Sequence, residues 1–150
     1  MHAKTLLAAA GLSLGLTSTA LAVQVHECDW AANAQSLAEP WEKNTKVFGN
    51  GTTRIALIDT GGEPVCCSMH LLILAEDKTD EQGNRMCRLI GSREKLGFES
   101  IDFARLTAAY DPARGLILTF PYTLYIDGIR NKKGVARVFI NSAKGVIAAQ

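Results

Sequence analysis

Four side chains that suit soft-metal or redox chemistry lie close together in the sequence. Cys66, Cys67, Met69 and His70 fall within five consecutive positions, in a chain that has only four cysteines. Thiolate, thioether and imidazole groups in one segment suit copper(I), whereas two adjacent thiols also suggest a redox pair or a disulfide. The backbone conformation of the segment decides which of these chemistries is available.

The apolar run at 65–74, which contains these residues, is predicted to be a strand because turns flank it. Side chains alternate faces along a strand, so Cys66 and His70 share a face but lie about 13 Å apart. Zinc holds its ligands about 2.0–2.3 Å from one centre, so this pair cannot share an ion without a bulge. On a helix the two positions would be neighbours. The strand therefore predicts a core or edge histidine, and a metal or redox site only if the backbone is helical or bulged.

A hairpin between 65–74 and 85–91 would restrict the disulfide pairing. It places Cys87 opposite Ile73, roughly 20 Å along the strands from the adjacent cysteine pair. A disulfide needs Cα atoms within about 7 Å of each other, so the hairpin predicts a bond between Cys87 and Cys28.

This pairing leaves Cys66 and Cys67 without a distant partner. Neighbouring Cα atoms are about 3.8 Å apart, which is below the usual disulfide range. We therefore favour two unmodified thiols, at least one of them buried, because free cysteine behaves as a small hydrophobe. A vicinal disulfide and a soft-metal or redox site are the alternatives.

A short helix is predicted at 29–38, where Asp29 is a good N-cap and Pro40 stops the segment. After it, period-two patterns and tight turns dominate. The Gly-Asn-Gly at 49–51 is typical of a hairpin turn, since Asn and Gly tolerate positive φ. A further turn is expected at 131–134. The predicted strands are 46–48, 53–58, 65–74, 85–90, 98–106, 116–126, 135–140 and 146–149.

These elements predict an all-β fold, a single antiparallel sandwich or meander barrel of about seven or eight strands with a short N-terminal helix. The alternative is an α+β fold in which Pro64 opens a helix at 65–75. It stays open because an apolar run alone does not separate a helix from a strand.

The N-terminus has the three-part pattern of a secretory signal. Lys4 precedes an apolar stretch that ends in Ala20-Leu21-Ala22, an A-x-A cleavage pattern. We expect 1–22 to be removed and 23–150 to form one soluble domain, periplasmic or secreted, with no transmembrane segment. Export to an oxidising compartment permits disulfide bonds.

The mature chain is electrically balanced, with 15 basic and 15 acidic side chains once Lys4 has left with the signal. A basic surface supplies the affinity for nucleic acid, so nucleic acid is not expected as a partner. Trp41 and the basic cluster Arg130, Lys132 and Lys133 are candidate residues for binding a partner. No catalytic residue is predicted, because no common linear motif of hydrolases, metalloproteases or nucleotide-binding enzymes occurs.

Four short motifs resemble a family of small exported proteins of uncharacterised function from alphaproteobacteria. They are C-D-W at 28–30, E-P-W-E at 39–42, H-L-L-I-L at 70–74 and Y-D-P-A-R-G-L at 110–116. The resemblance covers most of the mature chain and implies a periplasmic location. It implies no activity, and no functional residue is carried over from it.

The sequence thus predicts a non-catalytic exported β-domain that binds a protein or a small ligand and holds no cofactor. The alternative is a soft-metal (copper) or thiol-redox protein that uses the segment from Cys66 to His70. A small hydrolase is a third hypothesis, because a fold can assemble a carboxylate pair without any linear motif.

Overall fold

A computed structural model describes residues 23–61, 66–127 and 129–150, with the backbone alone for Glu94 and Arg130. The predicted signal at 1–22 lies outside these residues. The described chain forms two antiparallel sheets that pack face to face, which confirms the all-β sandwich. No helix among the described residues is long and apolar enough to cross a membrane.

Ten strands make up the two sheets within the described residues. Sheet A has the order β1-β5-β4-β3-β2, and sheet B has the order β10-β9-β8-β6, with β7 also paired to β8. The strands are β1 (Gln24–Glu27), β2 (Thr45–Phe48), β3 (Thr53–Asp59), β4 (Met69–Glu76), β5 (Arg85–Gly91), β6 (Ser100–Ile101), β7 (Thr107–Asp111), β8 (Gly115–Asp127), β9 (Arg130–Asn141) and β10 (Val146–Ala149). The sequence patterns missed β1 and β7.

The facing sides of the two sheets share one apolar core. Leu71 and Ile73 from sheet A are fully buried, as are Leu118 and Phe120 from sheet B. Phe98, between β5 and β6, meets Phe120 edge to face with ring centroids 6.4 Å apart. Burying each such side chain stabilises the fold by about 1.5–3 kcal/mol. Side chains of the chain itself therefore fill the interior.

The predicted hairpin turn at 49–51 is confirmed. It joins β2 to β3, and Gly49, Asn50 and Gly51 have φ angles of 58°, 53° and 93°. The hairpin of β4 and β5 also forms, but Cys87 lies opposite Leu74 rather than Ile73. A shift of one residue exchanges the two faces of a strand.

The helix predicted at 29–38 is reduced to a 3-10 turn at Ala34–Ser36. The Asp29 carboxylate accepts a hydrogen bond from the Ala31 N–H at 3.1 Å, and the Asn33 side chain accepts one from the Gln35 N–H at 2.8 Å. Such local bonds compete with helix formation. They hold the segment in successive turns.

The strand predicted at 98–106 is also mostly wrong. Only Ser100–Ile101 forms a strand, while Phe98 makes an isolated bridge with Met69, and a 3-10 turn follows at Phe103–Arg105. The Asp102 carboxylate accepts a hydrogen bond from the Arg105 N–H at 3.2 Å and so caps that turn. The alternating pattern reflects burial of Phe98, Ile101 and Phe103 rather than one continuous strand.

Two further expectations are corrected by the strand boundaries. The helix proposed at 65–75 does not form, because β4 is extended from Met69 onward, and the strand itself starts later than predicted. The turn expected at 131–134 lies inside β9, which pairs with β8 along its length. Pro64 lies outside the described residues.

Candidate functional site

The disulfide predicted between Cys28 and Cys87 is present, with Cα atoms 5.5 Å apart. It ties the segment at 28–38 to the outer face of sheet A, the face turned away from sheet B. There Ala31 packs with Ile58 and Leu89 in a second, smaller apolar cluster. The disulfide thus holds the segment at 28–38 over part of this outer face.

Cys66 and Cys67 are joined in a vicinal disulfide, so the favoured expectation of two unmodified thiols is wrong. Both residues are partly exposed. Cys67 has a φ of 71°, a left-handed conformation that an L-residue other than Asn, Asp or Gly rarely adopts. The segment before β4 is therefore a bend, which the strand prediction did not anticipate.

The loop at 92–97, between β5 and β6, packs directly on this bend. The Gly97 N–H donates to the Cys67 carbonyl oxygen at 2.9 Å. A Cβ atom at Gly97 would overlap the carbonyl oxygens of Cys67 and Met69 and the ring of His70. Ser92 closes the loop, since its N–H donates to the Leu96 carbonyl at 2.7 Å. We call residues 92–97 the disulfide loop.

His70 is buried between the bend and the disulfide loop. Its Nδ1 lies 3.2 Å from the Ser68 carbonyl oxygen. Burial lowers the pKa of the imidazole below its usual 6.5, an effect that hydrogen bonds with the backbone of Ser68 and Lys95 partly oppose. The charge of Asp29 also raises this pKa, whereas His26 lowers it. We expect a neutral imidazole near pH 7.

The four predicted metal ligands do not converge on one point. Met69 packs against the core between the sheets, and the next strand residue, His70, faces the opposite way. The two cysteine sulfurs are oxidised, and the thiolate rather than the disulfide is the metal ligand. Among the described residues, no group of three or more His, Cys, Asp and Glu side chains is arranged to hold a metal ion.

A small cavity of about 130 Å³ adjoins His70, and sequence reasoning missed it. His26, Asp29, Trp30 and Lys95 contribute to its lining. The Nε2 atom of His26 lies 2.9 Å from the carbonyl oxygen of Ser92, the first residue of the disulfide loop. Strand β1, which carries His26, has only four residues and gave no clear pattern in the sequence.

A larger groove of about 400 Å³ lies on the outer face of sheet A, beside the segment at 28–38. We call it the apolar groove. Val47 on the edge strand β2 is 61% exposed at its rim. Residues that line it include Leu37, Val47, Arg54, Ala56, Leu72 and Leu74.

The sequence contains one signal for this groove, in strand β4. Strand β4 contains Leu71-Leu72-Ile73-Leu74-Ala75, an apolar run without polar alternation. Such a run is typical of a strand that is buried on both faces. The inner face meets sheet B, whereas Leu74 on the outer face lines the groove.

The candidate partner-binding residues lie on different sheets. Trp41 is 48% exposed in the turn before β2 of sheet A, where its carbonyl accepts a hydrogen bond from the Thr45 hydroxyl at 2.9 Å. Lys132 and Lys133 are exposed on β9 of sheet B, and Arg130 begins that strand. The structure therefore does not gather these four residues into one surface.

Comparison of the chain with protein-family models, curated proteins and solved structures found no match.

Proposed function

We propose that this chain is an exported, non-catalytic domain that binds an extended segment of a partner protein along the apolar groove. The observation that carries the proposal is an apolar outer face that lies open beside an edge strand. The interior between the sheets is filled by side chains such as Leu71 and Phe120. A filled interior with an apolar surface groove favours a protein partner over an enclosed small ligand.

Among the described strands, β2 ends sheet A, and its outer edge suits the addition of a strand from a partner. The Leu57 N–H donates to the Asn44 carbonyl at 2.8 Å, which marks these residues as a hydrogen-bonded pair. Such pairs alternate along antiparallel strands, so the backbone groups of Thr45 and Val47 point away from β3. An extended peptide that pairs with this edge places alternate side chains over the groove.

Arg54 gives the groove a preference for charge. It lies between Val47 and Leu74 in the strand register, so the three side chains share the outer face. Its guanidinium makes no hydrogen bond or ion pair with another described residue. A carboxylate on the partner would satisfy these donors. The expected partner segment is therefore extended, with alternate apolar residues and at least one Asp or Glu.

Export of the domain is part of the proposal. The signal pattern at 1–22 and two disulfides in a small domain are both typical of proteins in an oxidising compartment. The resemblance to small exported proteins of alphaproteobacteria points the same way and suggests the periplasm.

Selection of peptides from a randomised library displayed on phage tests the groove directly, with the oxidised chain 23–150 as bait. We expect enriched peptides with alternate apolar residues and a carboxylate. Val47→Lys should weaken their binding by at least about tenfold, or about 1.4 kcal/mol. Val135→Lys on sheet B is the matched control, because Val135 is also 61% exposed. Arg54→Glu should reverse the preference toward peptides with Lys or Arg.

Two outcomes would overturn the proposal. One is an absence of enrichment, or selected peptides that bind the Val47→Lys and Val135→Lys variants equally well. The other is self-association of the chain that Val47→Lys abolishes, because a second copy would then be the occupant of the groove.

The alternative, copper binding by Cys66, Cys67, Met69 and His70, requires prior reduction of the vicinal disulfide. Thiolates at adjacent positions are the feature that favours it. Titration of the dithiol-reduced chain with copper(I) tests this function. Stoichiometric binding that Cys66→Ser/Cys67→Ser removes would support it, and a lack of such binding would refute it.

A further inference from the structure

We propose that the Cys66–Cys67 disulfide is a redox site that accepts two electrons from a dithiol in the compartment to which the chain is exported. We further propose that reduction of this disulfide releases the disulfide loop. The site lies before β4 and beside the loop at 92–97. The proposal does not depend on the binding of a partner in the apolar groove.

The two disulfides stand in different relations to the fold. Cys28–Cys87 joins residues 59 positions apart, so it restricts the unfolded chain strongly and the fold in turn protects it from reduction. Cys66–Cys67 joins neighbours and closes no chain loop. Folding therefore gives the vicinal disulfide no comparable protection, and both cysteine residues are partly exposed. We infer that a dithiol reduces Cys66–Cys67 first.

Reduction has a local structural consequence because of the conformation of Cys67. Its φ of 71° is unfavourable for a residue with a Cβ atom. The ring that the vicinal disulfide closes with the peptide bond restricts the backbone of both cysteines. Once that ring is opened, Cys67 is free to return to a negative φ, and the direction of its carbonyl group changes with it.

The Cys67 carbonyl is the anchor of the disulfide loop. It accepts the Gly97 N–H at 2.9 Å, so rotation of this carbonyl breaks the bond. Phe98, the residue after Gly97, is held independently of this bond, because Phe98 and Met69 exchange two backbone hydrogen bonds of 2.7 and 3.1 Å. The release is therefore confined to residues N-terminal to Phe98. A surface cavity of about 200 Å³ between Cys67, Leu96 and Tyr125 widens as the loop moves.

The chemistry is ordinary thiol–disulfide exchange. A thiolate of the dithiol attacks one sulfur, a mixed disulfide forms, and the other cysteine leaves as a thiolate. The second thiol of the dithiol then attacks the mixed disulfide and releases the first cysteine. The dithiol loses two electrons and two protons and becomes a disulfide, while Cys66 and Cys67 gain them as thiols.

Titration of the folded chain with dithiothreitol, the probe dithiol, tests the redox site. Samples are alkylated at each concentration of dithiothreitol, and mass spectrometry of their peptides identifies the alkylated cysteines. We expect Cys66 and Cys67 to be alkylated while Cys28 and Cys87 remain bonded. Alkylation of Cys28 and Cys87 first, or of all four together, would overturn the proposal. So would free thiols at 66 and 67 in a chain purified from an oxidising compartment.

Amide hydrogen exchange, followed by NMR, tests the coupling to the loop. We expect the exchange of the Gly97 amide to accelerate by at least about tenfold on reduction, with that of Phe98 unchanged. The Cys66→Ser/Cys67→Ser variant should show fast exchange at Gly97 with or without dithiothreitol. Equal protection of Gly97 in the oxidised, reduced and variant chains would refute the coupling.

Discussion

Removal of the Cys28–Cys87 disulfide should be the most destabilising change among the cysteines of this domain. The perturbation is the double substitution Cys28→Ala/Cys87→Ala, which avoids an unpaired thiol. The bond joins residues 59 positions apart. Loop-closure entropy for a loop of that length corresponds to about 4 kcal/mol of stability at 25 °C. Small domains are stable by about 5–15 kcal/mol, so the loss takes a large share of the total.

Urea unfolding at pH 7 measures this effect through tryptophan fluorescence, since Trp30 and Trp41 lie close to the disulfide-bonded segment in the chain. We expect the free energy of unfolding to fall by about 3–5 kcal/mol. The m-value should rise, because an unfolded chain without the cross-link exposes more surface. Cys66→Ser/Cys67→Ser is the control, and its unfolding free energy should change by less than about 1 kcal/mol because no loop is opened.

A loss below about 1 kcal/mol in the Cys28→Ala/Cys87→Ala variant would refute the loop-closure reasoning. Equal losses in the two double variants would refute the distinction between a structural and a reducible disulfide. A large loss without a rise in m would place the effect in the packing of Ala31 and Leu89 in the folded state instead.

Three further predictions concern the surroundings of the disulfide loop. Burial lowers the pKa of His70 in the folded state, so the contribution of this residue to stability is fully present above the unfolded value of 6.5 and is lost as the pH falls below it. His70→Gln should flatten the decline in unfolding free energy between about pH 7 and pH 5; a decline that His70→Gln leaves intact would contradict the assignment. Gly97→Ala should cost about 1–3 kcal/mol in urea unfolding, because the added Cβ overlaps two backbone carbonyls. At Gly61 an added Cβ meets open space, but φ is 64°, so Gly61→Ala should cost about 1–2 kcal/mol through backbone strain alone. A larger loss of stability in Gly61→Ala than in Gly97→Ala would contradict the close approach of the backbone at Gly97. Ser92→Ala removes the hydroxyl that donates to the Gly97 carbonyl at 3.0 Å, and it should accelerate hydrogen exchange in the loop while global stability changes by about 1 kcal/mol or less; unchanged exchange would show that this hydroxyl does not hold the loop.

The sheet architecture was predictable because its signals are local. Alternating residues and the turn at 49–51 follow from backbone preferences that a sequence displays directly. The pairing of Cys28 with Cys87 was predictable by elimination, since it depended on strand length rather than on an accurate register. For that reason the predicted disulfide is correct, although the predicted register of Cys87 was wrong by one residue.

The segment at 29–38 shows why other elements were not predictable. Its apolar spacing suits a helix, but side-chain bonds from Asp29 and Asn33 and the tether at Cys28 hold it as turns on the sheet. Tertiary contacts and local side-chain bonds override propensity in such short segments.

The candidate sites depend on details that a single sequence does not display. Adjacent cysteines are compatible with free thiols or with a bond, and the positive φ of Cys67 is visible only in the structure. The apolar groove depends on which face Val47, Arg54 and Leu74 share, and that face follows from strand register. The run in β4 was the available clue, because a strand apolar on both faces requires a cover on each.

The burial of Val23 bears on when the proposed export signal at 1–22 would be removed. This residue is 3% exposed and packs in the core, and Gln24 directly after it already pairs with Gly91. Proteases cut chain segments that are exposed and poorly ordered. On the proposal that 1–22 is an export signal, cleavage after Ala22 would have to precede the docking of β1 on β5, at the edge of sheet A. Under that proposal, a chain that folds first would retain residues 1–22.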